Sequence, residues 1–282
     1  MIVVAVILPL ALVGLSRASA GAEASSSDRP LHVLFIGNSY TSVNSLPFIF
    51  EQMVASAGFP KPVVDSATPG GWQLVKHLQS AETLAKIDGG ASDGARWDVV
   101  VLQEQSQTPA MAEVFDNARQ SFLNGVAGLY GRIKARNPAT RVVLYETWAR
   151  HADFWKSSAK DVQNLGRSPA EMQARLRKWY ENAAKHIVRN STSRKTDVLI
   201  ARAGDFWELN YNSADPVRLH AKDGSHPEFV GSYLAGLVMF ATIYDTSPLK
   251  VAWLGNLPES DATGMKNLVA RHPELLARLV GQ

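Results

Sequence analysis

Four short, unbroken apolar runs constrain this chain more than any other feature: Val33-Leu34-Phe35-Ile36, Val99-Val100-Val101-Leu102, Val142-Val143-Leu144-Tyr145 and Val198-Leu199-Ile200-Ala201. Continuous runs of this kind read as strands buried on both faces. Between and after them lie segments with helical spacing of apolar residues. These are Leu46 to Ala57, stopped by Gly58; Leu74 to Ile87; Val114 to Arg136, closed by Asn137-Pro138; Ala170 to Arg189; and Phe229 to Tyr244. Val63-Val64 supplies a further short strand before Thr68-Pro69-Gly70-Gly71, and Asp88 to Arg96 is a Gly-rich loop. Strands separated by helices imply parallel pairing through right-handed crossovers. The expectation is a doubly wound α/β fold, a single domain around a five-stranded parallel sheet, since no internal repeat or linker interrupts the pattern.

At 282 residues, 46% hydrophobic and 20% charged, the chain is long enough to bury one substantial core. The net charge of +3 is small, and there is no long Lys/Arg run. The densest basic cluster, Arg175-Leu176-Arg177-Lys178, has the spacing of one helical turn and reads as a solvated face, so no nucleic-acid partner is expected. Residues 1–20 read as a signal peptide: Ile2 to Leu15 is apolar but short for a membrane span, and Ala18-Ser19-Ala20 is a small-x-small cleavage site. No Lys or Arg precedes that run, which keeps an uncleaved anchor as the alternative. Residues 21–30 form a flexible lead-in and 31–282 the folded domain. The body is expected to be secreted or periplasmic, with no membrane association after cleavage. The absence of cysteine removes disulfides and thiolate chemistry. Asn190-Ser191-Thr192 is a glycosylation sequon that matters only in a eukaryotic secretory host.

In sheets of this type ligands bind at the carboxyl ends of the strands. Gly37-Asn38-Ser39 follows the first strand, Gly70-Gly71 the second, and Gln103-Glu104-Gln105-Ser106-Gln107 the third. Three polar clusters thus converge on one edge. Gly37 permits a sharp turn, and Ser39 opens the next segment, where backbone N–H groups can face a developing oxyanion. Alone, Ser39 reads equally well as a helix cap. Far downstream, Asp223-Gly224-Ser225-His226 adds a base and a carboxylate to orient it, the remaining parts of an activated hydroxyl. Trp148, Arg150 and His151 follow the fourth strand on the same edge and, with Asn38, are candidates for substrate contact. The Gly-x-Ser-x-Gly elbow of α/β-hydrolases is absent.

Gly37-Asn38-Ser39-Tyr40-Thr41 resembles the Gly-Asp-Ser-Leu block of the SGNH (GDSL-like) hydrolases, and Asp223-x-x-His226-Pro227 is similar to that superfamily's last block. The resemblance covers roughly Leu31 to Pro248. It implies a three-layer α/β/α flavodoxin-like sandwich and ester hydrolysis through an acyl-enzyme. Ser39 would be the nucleophile, His226 the base and Asp223 its orienting carboxylate. The family's second block lends a glycine N–H to the oxyanion hole, here Gly71 with Gly70 as alternative. Its third block, Gly-x-Asn-Asp, is replaced by the Leu-Gln-Glu-Gln-Ser stretch of a divergent subgroup. Gln105 is then the expected amide donor, with Gln103 and Gln107 as alternatives.

The expected activity is that of a serine esterase needing no metal or cofactor, acting on a small acyl ester or an acylated carbohydrate, as in carbohydrate O-acetylesterases. Acyl transfer would use the same groups. Two other readings stay open: a carbohydrate-binding or scaffold module with weak or no catalysis, suggested by the altered third block, and metal-dependent hydrolysis through His220, Asp223 and His226. Oligomeric state is not legible.

Overall fold

The structure, a computed structural model, describes residues 28–156, 162–190 and 198–276. The expected leader, the lead-in up to residue 27, and Ser191 and Thr192 of the sequon lie outside the described residues. In chain order the elements are β1 (His32–Ile36), α1 (Ser39–Ser42), α2 (Leu46–Ser56), β2 (Val63–Ala67), α3 (Leu74–His77), α4 (Ala81–Gly89), β3 (Val99–Leu102), α5 (Thr108–Met111), α6 (Asp116–Arg136), β4 (Arg141–Tyr145), α7 (Pro169–Arg189), β5 (Val198–Ala201), α8 (Ala203–Tyr211), α9 (Phe229–Tyr244) and α10 (Glu259–Ala270). The five strands form one parallel sheet in the order β2-β1-β3-β4-β5.

The period-2 geometry of a strand divides the apolar runs between two cores. Val33, Phe35, Val101, Val143 and Leu199 face one layer, built mainly from α2, α8, α9 and α10. Leu34, Ile36, Val100, Val142 and Ile200 face the other, built from α3, α4, α6 and α7. Burial on both faces explains why these strands show no polar alternation. Strand β2, at the sheet edge, is only half-buried and carries Asp65 and Ser66. The result is the expected three-layer α/β/α sandwich in a single domain.

Helix α9 follows the same logic in another form. Among its 16 residues only Phe229 is not buried, so it sits in the core with no polar stripe to turn outward. It can approach α2 closely because Gly236 faces Ile49 and Met53, where a Cβ would stand 3.0 Å from each side chain.

Several boundaries differ from the expectation. The helix expected over Leu74 to Ile87 is two helices, broken where the Ser80 hydroxyl accepts the Thr83 N–H at 3.2 Å and restarts the chain as α4. That helix extends to Gly89, and the turn begins at Gly90 (φ 78°). Helix α6 starts at Asp116 rather than Val114, because Thr108-Pro109 opens the separate short helix α5 before it. Helices α8 and α10 were not expected. Among the described residues no helix is long and apolar enough to cross a membrane.

Candidate active site

The carboxyl end of β1 turns at Gly37, and the turn has no room for a side chain. A Cβ there would lie 2.6 Å from Gln103 Oε1 and 2.8 Å from Thr41 Oγ1. The fully buried His77 donates from Nε2 to the Gly37 carbonyl at 2.9 Å, and its Nδ1 accepts from the Thr83 hydroxyl, also at 2.9 Å. Burial pushes the His77 pKa down, so the ring stays neutral in this role.

Asn38 caps α1. Its Oδ1 accepts the Tyr40 N–H at 3.1 Å, while its Nδ2 donates to the Trp72 carbonyl at 2.8 Å. The residue is buried, and both ends of its amide are held by protein. Asn38, expected to contact substrate, therefore sits as a brace between the turns after β1 and β2. Gln103 has a similar place. Its Oε1 accepts the Asn38 N–H and the Thr41 hydroxyl, each at 2.9 Å, and its Nε2 donates to the Glu104 carbonyl.

Ser39, first residue of α1, is part-exposed on this braced turn. Its Oγ lies 2.9 Å from His226 Nε2, and His226 Nδ1 lies 2.6 Å from Asp223 Oδ2. A carboxylate only accepts, so Nδ1 carries the proton, and Nε2 is left to accept the Ser39 hydroxyl. Asp223 and His226, three positions apart, come together because the intervening turn is tied to the same carboxylate: Asp223 Oδ1 accepts the Ser225 and His226 N–H groups at 2.9 and 3.0 Å. Burial acts to raise the Asp223 pKa, but the His226 ring and those two N–H groups outweigh it and hold the carboxyl at about 2. Gly224 (φ 66°) completes the turn. The His226 ring packs edge-on to Tyr40, with centroids 5.5 Å apart.

Gly71 adopts φ 71°, which favours glycine, and is exposed on the same edge. Among the described residues neither the Ser39 nor the Gly71 N–H has a protein acceptor. In the third block Leu102, Gln103 and Glu104 are fully buried. Gln105 is part-exposed, and its Oε1 accepts the N–H groups of Gln107 and Thr108 at 2.8 and 3.1 Å, while among the described residues its amide N–H₂ has no protein acceptor. Glu104, between them, accepts the Leu74 N–H at 3.3 Å and the Gln105 N–H at 2.6 Å. Burial pushes its pKa up to about 8 against the pull of those two donors.

Trp148 is sandwiched between Tyr40 (4.8 Å between centroids) and Trp207 (3.8 Å), and its Nε1 donates to the Ser225 carbonyl at 3.1 Å. Arg150 Nη1 donates to the Tyr40 and Ser225 hydroxyls. Tyr40, Ser106 and Ser225 lie within the three motifs, although the sequence assigned none of them a role. A cavity of about 350 Å³ is lined in part by Trp148, Arg150, His151, Trp207, Tyr211 and His220. A second cavity, about 220 Å³ and lined by Arg96, Trp97 and Asn137, lies at the amino ends of β3 and β4, away from Ser39.

His220 does not join Asp223 and His226. Its Nε2 donates to the Ala149 carbonyl at 2.9 Å, its Nδ1 accepts from the Tyr211 hydroxyl at 2.7 Å, and burial draws its pKa down to about 3. Among the described residues no group of three His, Cys, Asp or Glu side chains is placed to hold a metal ion.

No family model and no curated protein matches the chain. Solved structures are similar to it. A DUF4886 family protein from Bacteroides uniformis superposes with a TM-score of 0.69 at 16% identity, over 89% of this chain and 97% of its own. A protein from Slackia heliotrinireducens assigned as an SGNH hydrolase matches with a TM-score of 0.56 at 29% identity, over 76% of this chain and 99% of its own. The acetyl xylan esterase AlAXEase matches with a TM-score of 0.50 at 16% identity, over 76% of this chain and 100% of its own. The first and third share the fold; the second also shares appreciable sequence.

Proposed function

Because this chain belongs to the SGNH (GDSL-like) hydrolase superfamily, we propose that it is a metal-independent serine esterase acting through an acyl-enzyme, with Ser39 as nucleophile. The reading rests on one observation: Ser39 Oγ, His226 and Asp223 form a continuous hydrogen-bonded series at the carboxyl edge of the sheet, with links of 2.9 and 2.6 Å. Ser39 Oγ attacks the acyl carbonyl as its proton passes to His226 Nε2. Asp223 holds the ring orientation and stabilises the imidazolium. The oxyanion is received by the Ser39 and Gly71 N–H groups and the Gln105 amide, each worth about 3 kcal/mol of barrier. His226 then protonates the leaving alcohol, and water releases the acyl group through the same base.

We assign Gln105 rather than Gln103 because Gln103 has both ends of its amide committed inside the protein. The likeness to an acetyl xylan esterase supports a short acyl group on a carbohydrate as the substrate. The apolar run from Ile2 to Leu15 supports action outside the cytoplasm. A fluorophosphonate probe tests the mechanism. Labelling should map to Ser39 and vanish in Ser39→Ala and His226→Ala. A folded protein left unlabelled at Ser39 would remove the nucleophile and favour a binding module on the same fold.

A further inference from the structure

Three groups assigned to the reaction each have a chain neighbour whose hydroxyl meets one and the same side chain. Tyr40 follows the nucleophile Ser39, Ser106 follows the oxyanion donor Gln105, and Ser225 precedes the base His226. Arg150, in the loop after β4, donates to all three hydroxyls: from Nη1 to Tyr40 and Ser225, and from Nη2 to Ser106 at 3.1 Å. The Tyr40 and Ser225 hydroxyls also meet each other at 2.9 Å. The same loop holds these segments at further points. The Trp148 ring stacks on Tyr40, and its Nε1 donates to the Ser225 carbonyl at 3.1 Å. The His151 N–H donates to the Gly224 carbonyl at 2.9 Å.

Arg150 was expected to contact substrate, but its guanidinium is enclosed by protein. The residue is buried, and its Nε is buried without an acceptor. The rings of Tyr40 and Phe154 lie 5.6 and 5.7 Å from the guanidinium carbon. Of the residues around that group, Tyr40, Ser106, Ser225 and Phe154, none lines the cavity of about 350 Å³. The three acceptors are neutral, since burial raises the Tyr40 phenol pKa and keeps its proton in place. Hydroxyls do not neutralise a cation, and burying one is costly. What the arginine supplies is geometry. Its planar fork of N–H donors points in fixed directions, so three hydroxyls on three separate segments are held in one relation to each other. A lysine ammonium, with rotatable donors on a flexible stem, fixes less.

We propose that Arg150 is a positioning residue: it aligns Ser39, Gln105 and His226 by holding the residue next to each, and touches no substrate itself. The proposal rests on the esterase reading, because the groups it aligns are those of that reaction. The proton of Ser39 Oγ passes to His226 Nε2 across a 2.9 Å contact. A displacement of about 1 Å between reacting groups costs on the order of 100-fold in rate.

Arg150→Met tests it. Methionine keeps an unbranched stem and removes every donor, and apolar replacement of a buried ion is often tolerated by the fold. For a short acyl ester, kcat and KM are measured alongside the urea unfolding midpoint. The proteins are wild type, Arg150→Met, Arg150→Lys, and Tyr40→Phe/Ser225→Ala with and without Arg150→Met. In Arg150→Met, kcat and kcat/KM should fall together by roughly 100-fold, with KM little changed. Arg150→Lys should recover part of the loss, since an ammonium still donates to hydroxyls. With the Tyr40 and Ser225 hydroxyls already gone, adding Arg150→Met should cost less than ~10-fold more, because its effect passes through them. Wild-type kcat in folded Arg150→Met, or in folded Tyr40→Phe/Ser225→Ala, overturns the proposal. So does a rise in KM at unchanged kcat, which would make Arg150 a substrate contact, and so does an undiminished loss when both hydroxyls are absent. Each of these outcomes leaves the esterase reading standing. A wild type that neither hydrolyses the ester nor takes a fluorophosphonate at Ser39 removes that reading, and this proposal with it.

Discussion

Replacing Glu104 by Gln separates the charge of the third block from its shape. Glu104 is fully buried, and its carboxyl accepts N–H groups from Leu74 and Gln105. Burial shifts its pKa from an ordinary 4.5 to about 8. Between those values the folded chain keeps a proton that the unfolded chain has released. Stability contributed by this residue is therefore complete below about pH 4.5 and declines as pH rises toward 8, by ~1.4 kcal/mol per pH unit. Across the whole window this amounts to at most about 5 kcal/mol, a ceiling because local opening lets water relieve a buried charge. Gln keeps an acceptor oxygen for both N–H groups and cannot ionise.

Urea unfolding of wild type and Glu104→Gln at pH 5, 6, 7 and 8 reads the effect as a difference, in which all other titrating groups cancel. The variant should gain on wild type steadily with pH, by roughly 3 kcal/mol or more in total between pH 5 and 8 if most of the ceiling is realised. Two stability profiles running parallel within about 0.5 kcal/mol would refute the reasoning, since they would mean Glu104 titrates alike folded and unfolded. A functional consequence accompanies it. Above pH 8 wild type carries a carboxylate next to the proposed oxyanion donor Gln105, so its kcat should fall there relative to the variant's.

Asp223→Asn should lower kcat on a short acyl ester by on the order of 10³-fold or more while leaving the unfolding midpoint nearly unchanged, because the amide no longer fixes the His226 tautomer. Gln105→Glu retains the oxygen that accepts from Gln107 and Thr108 but replaces the donor, so kcat should drop about 100-fold or more with little loss of stability. Gln103→Ala should instead cost stability, about 1–3 kcal/mol by chemical denaturation, because it strands the buried Asn38 N–H. Gly37→Ala should lower Tm, costing ~1–3 kcal/mol, since the added methyl meets Gln103 and Thr41 inside 3 Å.

The sheet was legible because a doubly covered strand must be apolar throughout, as Val99-Val100-Val101-Leu102 is. Ser39 could be placed at the carboxyl end of β1, and Asp223 and His226 within one turn, because strand ends and turns are local properties. Helix α8 was not: Ala203–Tyr211 follows β5 after a single residue, and no cap signal separates the two. Nor was the division of labour among the three glutamines. Gln103 and Gln105 lie two residues apart just past β3, yet the first is tied into the interior by Asn38 and Thr41 while the second is part-exposed and turned to Gln107 and Thr108. Arg150 illustrates the limit from the other side. Its residue type pointed to the site, but that it meets only hydroxyls and rings, and no carboxylate among the described residues, is a property of the surrounding elements, which no local pattern encodes.

Asn38 shows how one substitution in the first block follows from contacts made elsewhere. The superfamily's first block has Asp at this position, and an aspartate could still accept the Tyr40 N–H as Asn38 Oδ1 does. It could not donate to the Trp72 carbonyl, which Asn38 Nδ2 reaches at 2.8 Å. In Asn38→Asp a carboxylate oxygen would face that carbonyl in a position only 2% exposed. The expected cost is about 2–3 kcal/mol near neutral pH, from a lost bond plus an unpaired buried charge. Burial and the facing carbonyl both favour the protonated acid, so the folded pKa of the new carboxyl lies above its unfolded value. The lost stability should accordingly return as pH is lowered, when the carboxylic O–H can donate to Trp72. Recovery of stability at acid pH, seen in Asn38→Asp relative to wild type, would tie the turn that carries Ser39 to the loop that carries Gly71. A variant as stable as wild type at neutral pH would show that the two loops are positioned independently and that the Asn38–Trp72 link contributes nothing to the site.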